Sequence, residues 1–359
     1  MTTCGYVQCP QALHRTSQAH PTLPSPPTNP FQQLFNYCKS LNLHVIRVYT
    51  VQGPDFYRAI VDWNTAAVPD DVIYFFQGIW TPEEEMEGRD GEGADVFTPS
   101  IFDAMADFVE RTVRAVHGDG LVRYLAPGEP LGDYQADAAP WCIGWVLGTE
   151  WYPQTVNMTL FGRGVGVPLH RGEYVETTDD ANVFENWIAL MMEQLLKRDM
   201  DFGGWQRPVA FTNWITTDPL RHTLEPSPDD GSYEDWMSVD AHHLRVTTKW
   251  SAGYFVNFHA YPYYPDFLKY PLNWYNTSWE YADGFEIEDP YQLYLRRVRY
   301  HFEGYPLIIS EVGIPTSLGT SQIGYKGRWH GHMTERQQAH VVIEMISFMV
   351  EYRMRTIAC

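Results

Sequence analysis

Positive charge is scarce in this 359-residue sequence: 25 lysines and arginines stand against 45 aspartates and glutamates, a net −20 with histidines neutral. Such a chain repels phosphate backbones and anionic membranes, so no nucleic acid partner is expected. Cysteine is sparse and unpatterned. The five occur at Cys4, Cys9, Cys38, Cys142 and Cys359 with no CxxC, which gives neither a disulfide framework nor a thiolate zinc site. No uninterrupted apolar run reaches the roughly 18 residues a membrane span needs. The N-terminus lacks the basic start and apolar run of a secretory signal, so the chain as given is expected to be soluble. No predicted strand is followed by a glycine-rich phosphate loop, which weakens a nucleotide-binding fold.

Hydrophobic residues make up 44% of the chain, enough for one large core. Aromatics reach 15%, with 13 Trp and 23 Tyr, and suit stacking on the apolar faces of sugar rings as well as core packing. Residues 1–29 end in PTLPSPPTNP, which can form neither helix nor central strand, and are expected to be a disordered leader. From residue 30 helix and strand patterns alternate. Helices are predicted from Phe31, over Asp55–Trp63, Pro99–Val116, Val183–Arg198 and Pro290–His301, and over Thr334–Val350. Six strands are predicted, at His44, Val72, Ile143, Val209, Tyr254 and Leu307. The long loops all leave the C-terminal ends of strands. This is an α/β pattern, read as a (β/α)8 TIM barrel with strands one and eight not evident, since YRMRTIAC offers no apolar run; an open α/β sheet is the alternative.

Two stretches share one grammar. WCIGWVLGTEWYP carries an apolar run to Gly148 and then Glu150, and PLIISEVGIPTS carries one to Glu311. In a parallel barrel the C-terminal strand ends converge on one mouth, so Glu150 and Glu311 are expected to face one ligand. Two facing carboxylates are the machinery of glycosidic bond cleavage, one donating a proton and the other attacking carbon or activating water. Arg47, inside the otherwise apolar HVIRVYT, needs a partner if buried; Glu311 is the candidate, with a structural Asp as the alternative. Tyr261 is placed on the nucleophile and His259 on the acid/base or a hydroxyl, with aromatic packing as the alternative for both. Trp80, Trp151 and Trp214 lie just past strands as sugar platforms, with capping of the barrel as the alternative for each; Gln77 and Asn213 sit at strand ends as hydroxyl-binding groups, and Tyr49 joins the substrate-binding set. His242-His243 and the His330/His332 pair have no acidic or cysteine partner at a recognised spacing; they read as surface histidines, and no metal is expected.

With these residues in place the chain resembles the glycoside hydrolase superfamily (clan A) of (β/α)8 barrels, and more closely the family 2-like TIM-barrel domains of bacterial membrane-associated proteins. LNLHVIRVYT, FQGIW, GWVLGTEWYP, FTNWITTDPL, FHAYPYYPDF and IISEVGIPTS resemble the landmarks of strands two to seven, and GHMTERQQ the start of the next helix, over roughly Pro30 to Glu351. The resemblance implies an acid/base at Glu150, a nucleophile at Glu311, retention, a β-linked carbohydrate substrate and no cofactor. It also implies a longer, membrane-associated parent of which residues 30–359 are a truncated domain. Thr149 stands where that superfamily usually has an Asn for the sugar 2-hydroxyl. A transglycosylase in polysaccharide synthesis and a non-catalytic carbohydrate-binding barrel remain alternatives.

Overall fold

The computed structural model describes residues 30–122, 132–162, 167–220, 237–264, 268, 289–352 and 355–356. The expected leader over 1–29 and residues 221–236 of the loop after Asn213 lie outside them. The helices read from apolar spacing all form: α1 (Pro30–Ser40), α2 (Pro54–Ala66), α3 (Pro99–Val116), α4 (Val183–Asp201), α5 (Pro290–His301) and α6 (Glu335–Glu351). Their starts carry local signals. Asn182 and Glu185 form a reciprocal capping box on α4, Asp289 caps α5 through Tyr291 N at 3.1 Å, and Thr334 with Gln337 repeats the box on α6. The inward face of α4 buries Trp187, Met191 and Leu195, each worth about 1.5–3 kcal/mol of burial.

All six predicted strands form: β1 (Val45–Val48), β2 (Tyr74–Ile79), β3 (Cys142–Leu147), β4 (Val209–Trp214), β5 (Val256–His259) and β6 (Leu307–Glu311). Neighbours in this order pair in parallel. One expectation needs correcting. A further parallel strand follows β6, because Arg355–Thr356 (β7) pairs with it, Ile308 opposite Arg355 and Ile309 opposite Thr356. Two residues without an apolar run leave no periodicity to read. Among the described residues no strand pairs with the outer side of β1.

The sheet is curled, and one side chain demonstrates it. From β1 to β6 is five strand spacings, roughly 24 Å in a flat sheet. Yet Arg47 on β1 donates to Ser310 Oγ on β6 at 2.7 Å, and to Thr212 Oγ1 on β4 at 3.3 Å. The strands must wrap round so that the two edges face across a shared interior. Phe76 on β2 and Phe255, just before β5, also meet there, with ring centroids 5.6 Å apart.

At the opposite end from the strand exits, a buried network ties the layers together. Asp199 on α4 accepts from Arg207 at 2.8 and 2.9 Å, from His117 at 2.8 Å and from Trp145 Nε1 at 3.0 Å. Arg207 also caps the carbonyls of Cys142 and Ala139. The stretch beyond Glu150 carries regular elements of its own. It holds a helix over Pro153–Gly162, whose first-turn Pro153 has its φ preset, and a strand, Val175–Thr177, that pairs antiparallel with Leu244–Val246. A hairpin of Thr320–Gln322 and His330–Gly331 follows β6. It is anchored by the buried ion pair of Arg328 with Asp289.

Candidate active site

The strand exits of β3, β5 and β6 bring Glu150, His259 and Glu311 together. On β6 the register shifts between Ile309, opposite Phe258, and Glu311, opposite His259. In a regular strand successive side chains point to opposite faces. This irregularity lets both Ser310 and Glu311 turn inward, the first onto Arg47 and the second onto Tyr49 and Tyr261. Arg47 on β1 and Tyr49 just past its end are two apart and share the inward face, with the guanidinium 4.2 Å over the Tyr49 ring. Gly78 makes room beside them, since a Cβ there would stand 2.5 Å from the Tyr49 carbonyl oxygen.

Glu311 is gripped at both oxygens. Tyr49 donates its hydroxyl to Oε2 and Tyr261 donates to Oε1. Burial disfavours its charge, but the His259 ring, the Tyr261 and Tyr49 hydroxyls and the Arg47 guanidinium outweigh that and hold the carboxyl below the usual glutamate range. The sequence expectation that Arg47 would bridge Glu311 directly is corrected. Arg47 is 4% exposed, and its hydrogen bonds go to Ser310, Thr212 and Nε2 of His259, the last at 2.7 Å.

That last contact fixes a tautomer. A guanidinium only donates, so in the neutral ring Nε2 accepts and the proton sits on Nδ1. Nδ1 is 3.0 Å from Glu150 Oε1 and 3.4 Å from Glu311 Oε2, so His259 presents one N–H between the two carboxylates. Glu150, His259 and Glu311 each offer a potential ligand atom, and these atoms lie within 4.8 Å of one another. The arrangement is nevertheless a poor cation cradle, because the inward-facing imidazole nitrogen carries the proton.

The Glu150 side chain is 33% exposed and lines a pocket of about 210 Å³, while Glu311, 20% exposed, sits behind the His259 and Tyr261 that line it. Trp214, Ile215, Tyr261, Tyr263 and Tyr264 line it, together with Ser321, Gln322 and His330 from the hairpin. Trp214 and Tyr264 stack with centroids 6.0 Å apart, and Trp214 Nε1 donates to the Trp151 carbonyl at 2.9 Å. Tyr263 stays protonated, since burial, then Glu311 and Glu150, push its phenol far up.

Not every residue nominated from the sequence reaches the pocket. Trp151 is 1% exposed and packs on Phe184 and Trp187 in the core, so it is no sugar platform. Gly148, at φ +79°, turns the chain so that the Trp151 ring lies where a Cβ would be. Gln77 is fully buried, accepting from Tyr57 and donating to the Thr50 and Gly78 carbonyls. Asn213 is likewise spent on Val239 O, Trp214 N and Thr217. Thr149 shares its hydroxyl with Thr81 at 2.8 Å and donates to Glu83 at 3.1 Å. Trp80 stands edge-on to Tyr49 at 6.3 Å.

Sequence reading missed other groups. His330, taken as a surface histidine, is half-buried in the pocket wall and bonded to Ser321. Ser310 and Thr212, the anchors of Arg47, carried no signal beyond their place at strand ends. Tyr263 and Tyr264 were visible in FHAYPYYPDF as a tyrosine cluster without assigned roles. Glu83, in a short helix over Glu83–Glu87, was hidden in an acidic run; burial raises its carboxyl, Thr149 opposes this, and Glu150 adds to the rise.

No protein-family model and no curated protein matches the chain. Among solved structures, a calcium-binding mutant of Bacteroides uniformis beta-glucuronidase 2 is similar at a TM-score of 0.40 and 11% identity. The match covers 89% of this chain and 26% of that one, so this chain spans about a quarter of that protein's length. A likeness at this level carries nothing about function, which rests on the site's geometry. No helix among the described residues is long and apolar enough to cross a membrane.

Proposed function

We propose that this chain is a retaining glycoside hydrolase built on a (β/α)8-type barrel domain and acting on a β-linked oligo- or polysaccharide. The observation that carries the reading is the carboxylate spacing: an oxygen of Glu150, which lines an aromatic pocket, and an oxygen of Glu311 lie within 4.8 Å of each other. Retaining enzymes hold their carboxyl groups about 5–5.5 Å apart, whereas inverting ones need about 6.5–9.5 Å to admit water between them.

The two carboxylates have different surroundings and so different roles. Glu311, held ionised by two phenol donors, attacks the anomeric carbon while Glu150 gives its proton to the glycosidic oxygen. The bond to the leaving sugar breaks and a glycosyl ester forms on Glu311. Glu150, now a carboxylate, takes a proton from water; the water oxygen attacks the same carbon and the ester bond breaks. The His259 N–H steadies Glu150 Oε1 in that charged phase. Trp214, stacked with Tyr264, offers an apolar face to a sugar ring. The pocket is smaller than the about 300–1,000 Å³ of ordinary ligand clefts and suits a single sugar unit at the cleavage point.

Proton NMR of the first-formed product from an aryl β-glycoside tests this reading. Retention of the β-anomer is expected, and an α-product would contradict it. Glu150→Gln should lower kcat/KM by about 10²–10⁴-fold for a poor leaving group. The loss should be far smaller for a dinitrophenyl glycoside, which departs without a proton.

A further inference from the structure

Asp240, His242 and His301 form a second cluster that lines no part of the pocket and that the proposed hydrolysis does not use. The sequence offered His242-His243 without an acidic partner; the fold supplies one. Asp240 begins the turn Ala241–His243, and its Oδ1 accepts from the His242 backbone N at 2.9 Å, which fixes the carboxylate. Oδ2 lies 3.0 Å from Nε2 of His301, the last residue of α5, and Oδ1 lies 3.5 Å from Nδ1 of His242. One potential ligand atom from each residue falls within 4.8 Å of the other two.

The surroundings hold this trio in place. The His242 ring packs on His301, Phe302 and Tyr305 with centroids 4.7, 5.0 and 5.1 Å away. Glu185 on α4 accepts from Asp240 N at 2.7 Å and from His243 Nδ1 at 2.8 Å, bracing Asp240 and drawing the neighbouring histidine away. Behind Tyr305, Tyr254 carries a buried hydroxyl with no hydrogen-bond partner among the described residues. The two histidine side chains are 30% and 27% exposed, so an ion can enter and keep a water.

We propose that Asp240, His242 and His301 bind one divalent transition-metal ion of the zinc class, which pins the 237–246 segment to the C-terminal end of α5. Two imidazoles and a carboxylate with an open fourth position form a recognised ligand set for such ions. Tetrahedral ligands at about 2.0–2.1 Å from zinc stand roughly 3.3 Å apart, so ligand atoms already within 4.8 Å of one another close by about 1.5 Å at most when the ion binds. The contrast with the pocket trio is chemical. There a guanidinium on the far nitrogen of His259 forces the proton inward, whereas His301 and His242 each turn a ring nitrogen to the Asp240 carboxylate.

The test is titration of the full chain, stripped by chelator dialysis and checked by circular dichroism, with cobalt(II) chloride under visible absorption. One equivalent should give a saturable d–d band, and zinc chloride should abolish it. His242→Ala and His301→Ala should each weaken binding at least about tenfold. His340→Ala, at an exposed histidine on α6, and Glu311→Gln should leave it unchanged. No band on folded wild-type protein overturns the proposal, as does a band that survives both histidine substitutions. Loss of the band in Glu311→Gln would place the ion in the pocket and also overturn it. Neither result bears on the hydrolase reading, whose own assay is the product anomer.

Discussion

Tyr261→Phe isolates the device that keeps the proposed nucleophile charged. The substitution removes the donor to Glu311 Oε1 and keeps a ring against Tyr263, whose centroid is 5.4 Å away. A hydrogen bond to a charged group is worth about 1.5–3 kcal/mol, or about 10–150-fold in the ionisation equilibrium at 1.36 kcal/mol per factor of ten. Glu311 is held below the usual glutamate range, so removing a donor moves it upward. The acid limb of kcat/KM therefore shifts to higher pH, and the rate at a fixed pH on that limb falls by up to the same factor. Stability follows the same sign: the contribution from Glu311 is present above the ordinary glutamate value of about 4.3 and is lost as pH falls through its depressed value. The variant should lose part of that contribution above pH 4.3 and show a shallower acid-unfolding curve. The assay is a pH–rate profile on an aryl glycoside beside urea denaturation at several pH values. An unmoved acid limb in both Tyr261→Phe and Tyr49→Phe would refute the reasoning.

Two further predictions separate core from site. Trp151→Ala should cost about 3–5 kcal/mol of stability by opening a cavity against Phe184 and Trp187, whereas Trp214→Ala should leave the thermal midpoint nearly unchanged and raise KM; denaturation and kinetics side by side check both. Arg328→Ala should cost about 3–5 kcal/mol because it strands the buried Asp289 charge at the start of α5, and limited proteolysis should then cut the hairpin that carries Ser321 and His330.

Legibility from the sequence followed the range of the interactions. The six strands stood out because each is a short apolar run closed by glycine, proline or a polar residue, and Glu150 with Glu311 followed from where parallel strands end. Arg47 was recognisable as buried, but its partners were not, because they depend on the register shift beside Ser310 and on the curl of the sheet. Trp151 and Trp214 look alike in sequence, each near a strand exit. A left-handed turn at Gly148 sends one into the core, and no periodicity encodes that. The Asp240 cluster joins a turn to the end of a helix some sixty residues later, a contact that only the packing of α5 creates.

The most direct test of the central claim is covalent trapping. Folded protein would be incubated with a panel of 2-deoxy-2-fluoro glycosides bearing activated leaving groups, then digested and mapped by mass spectrometry. The account predicts a glycosyl adduct on Glu311, absent in Glu311→Gln. An adduct on Glu150 would contradict it by reversing the two roles.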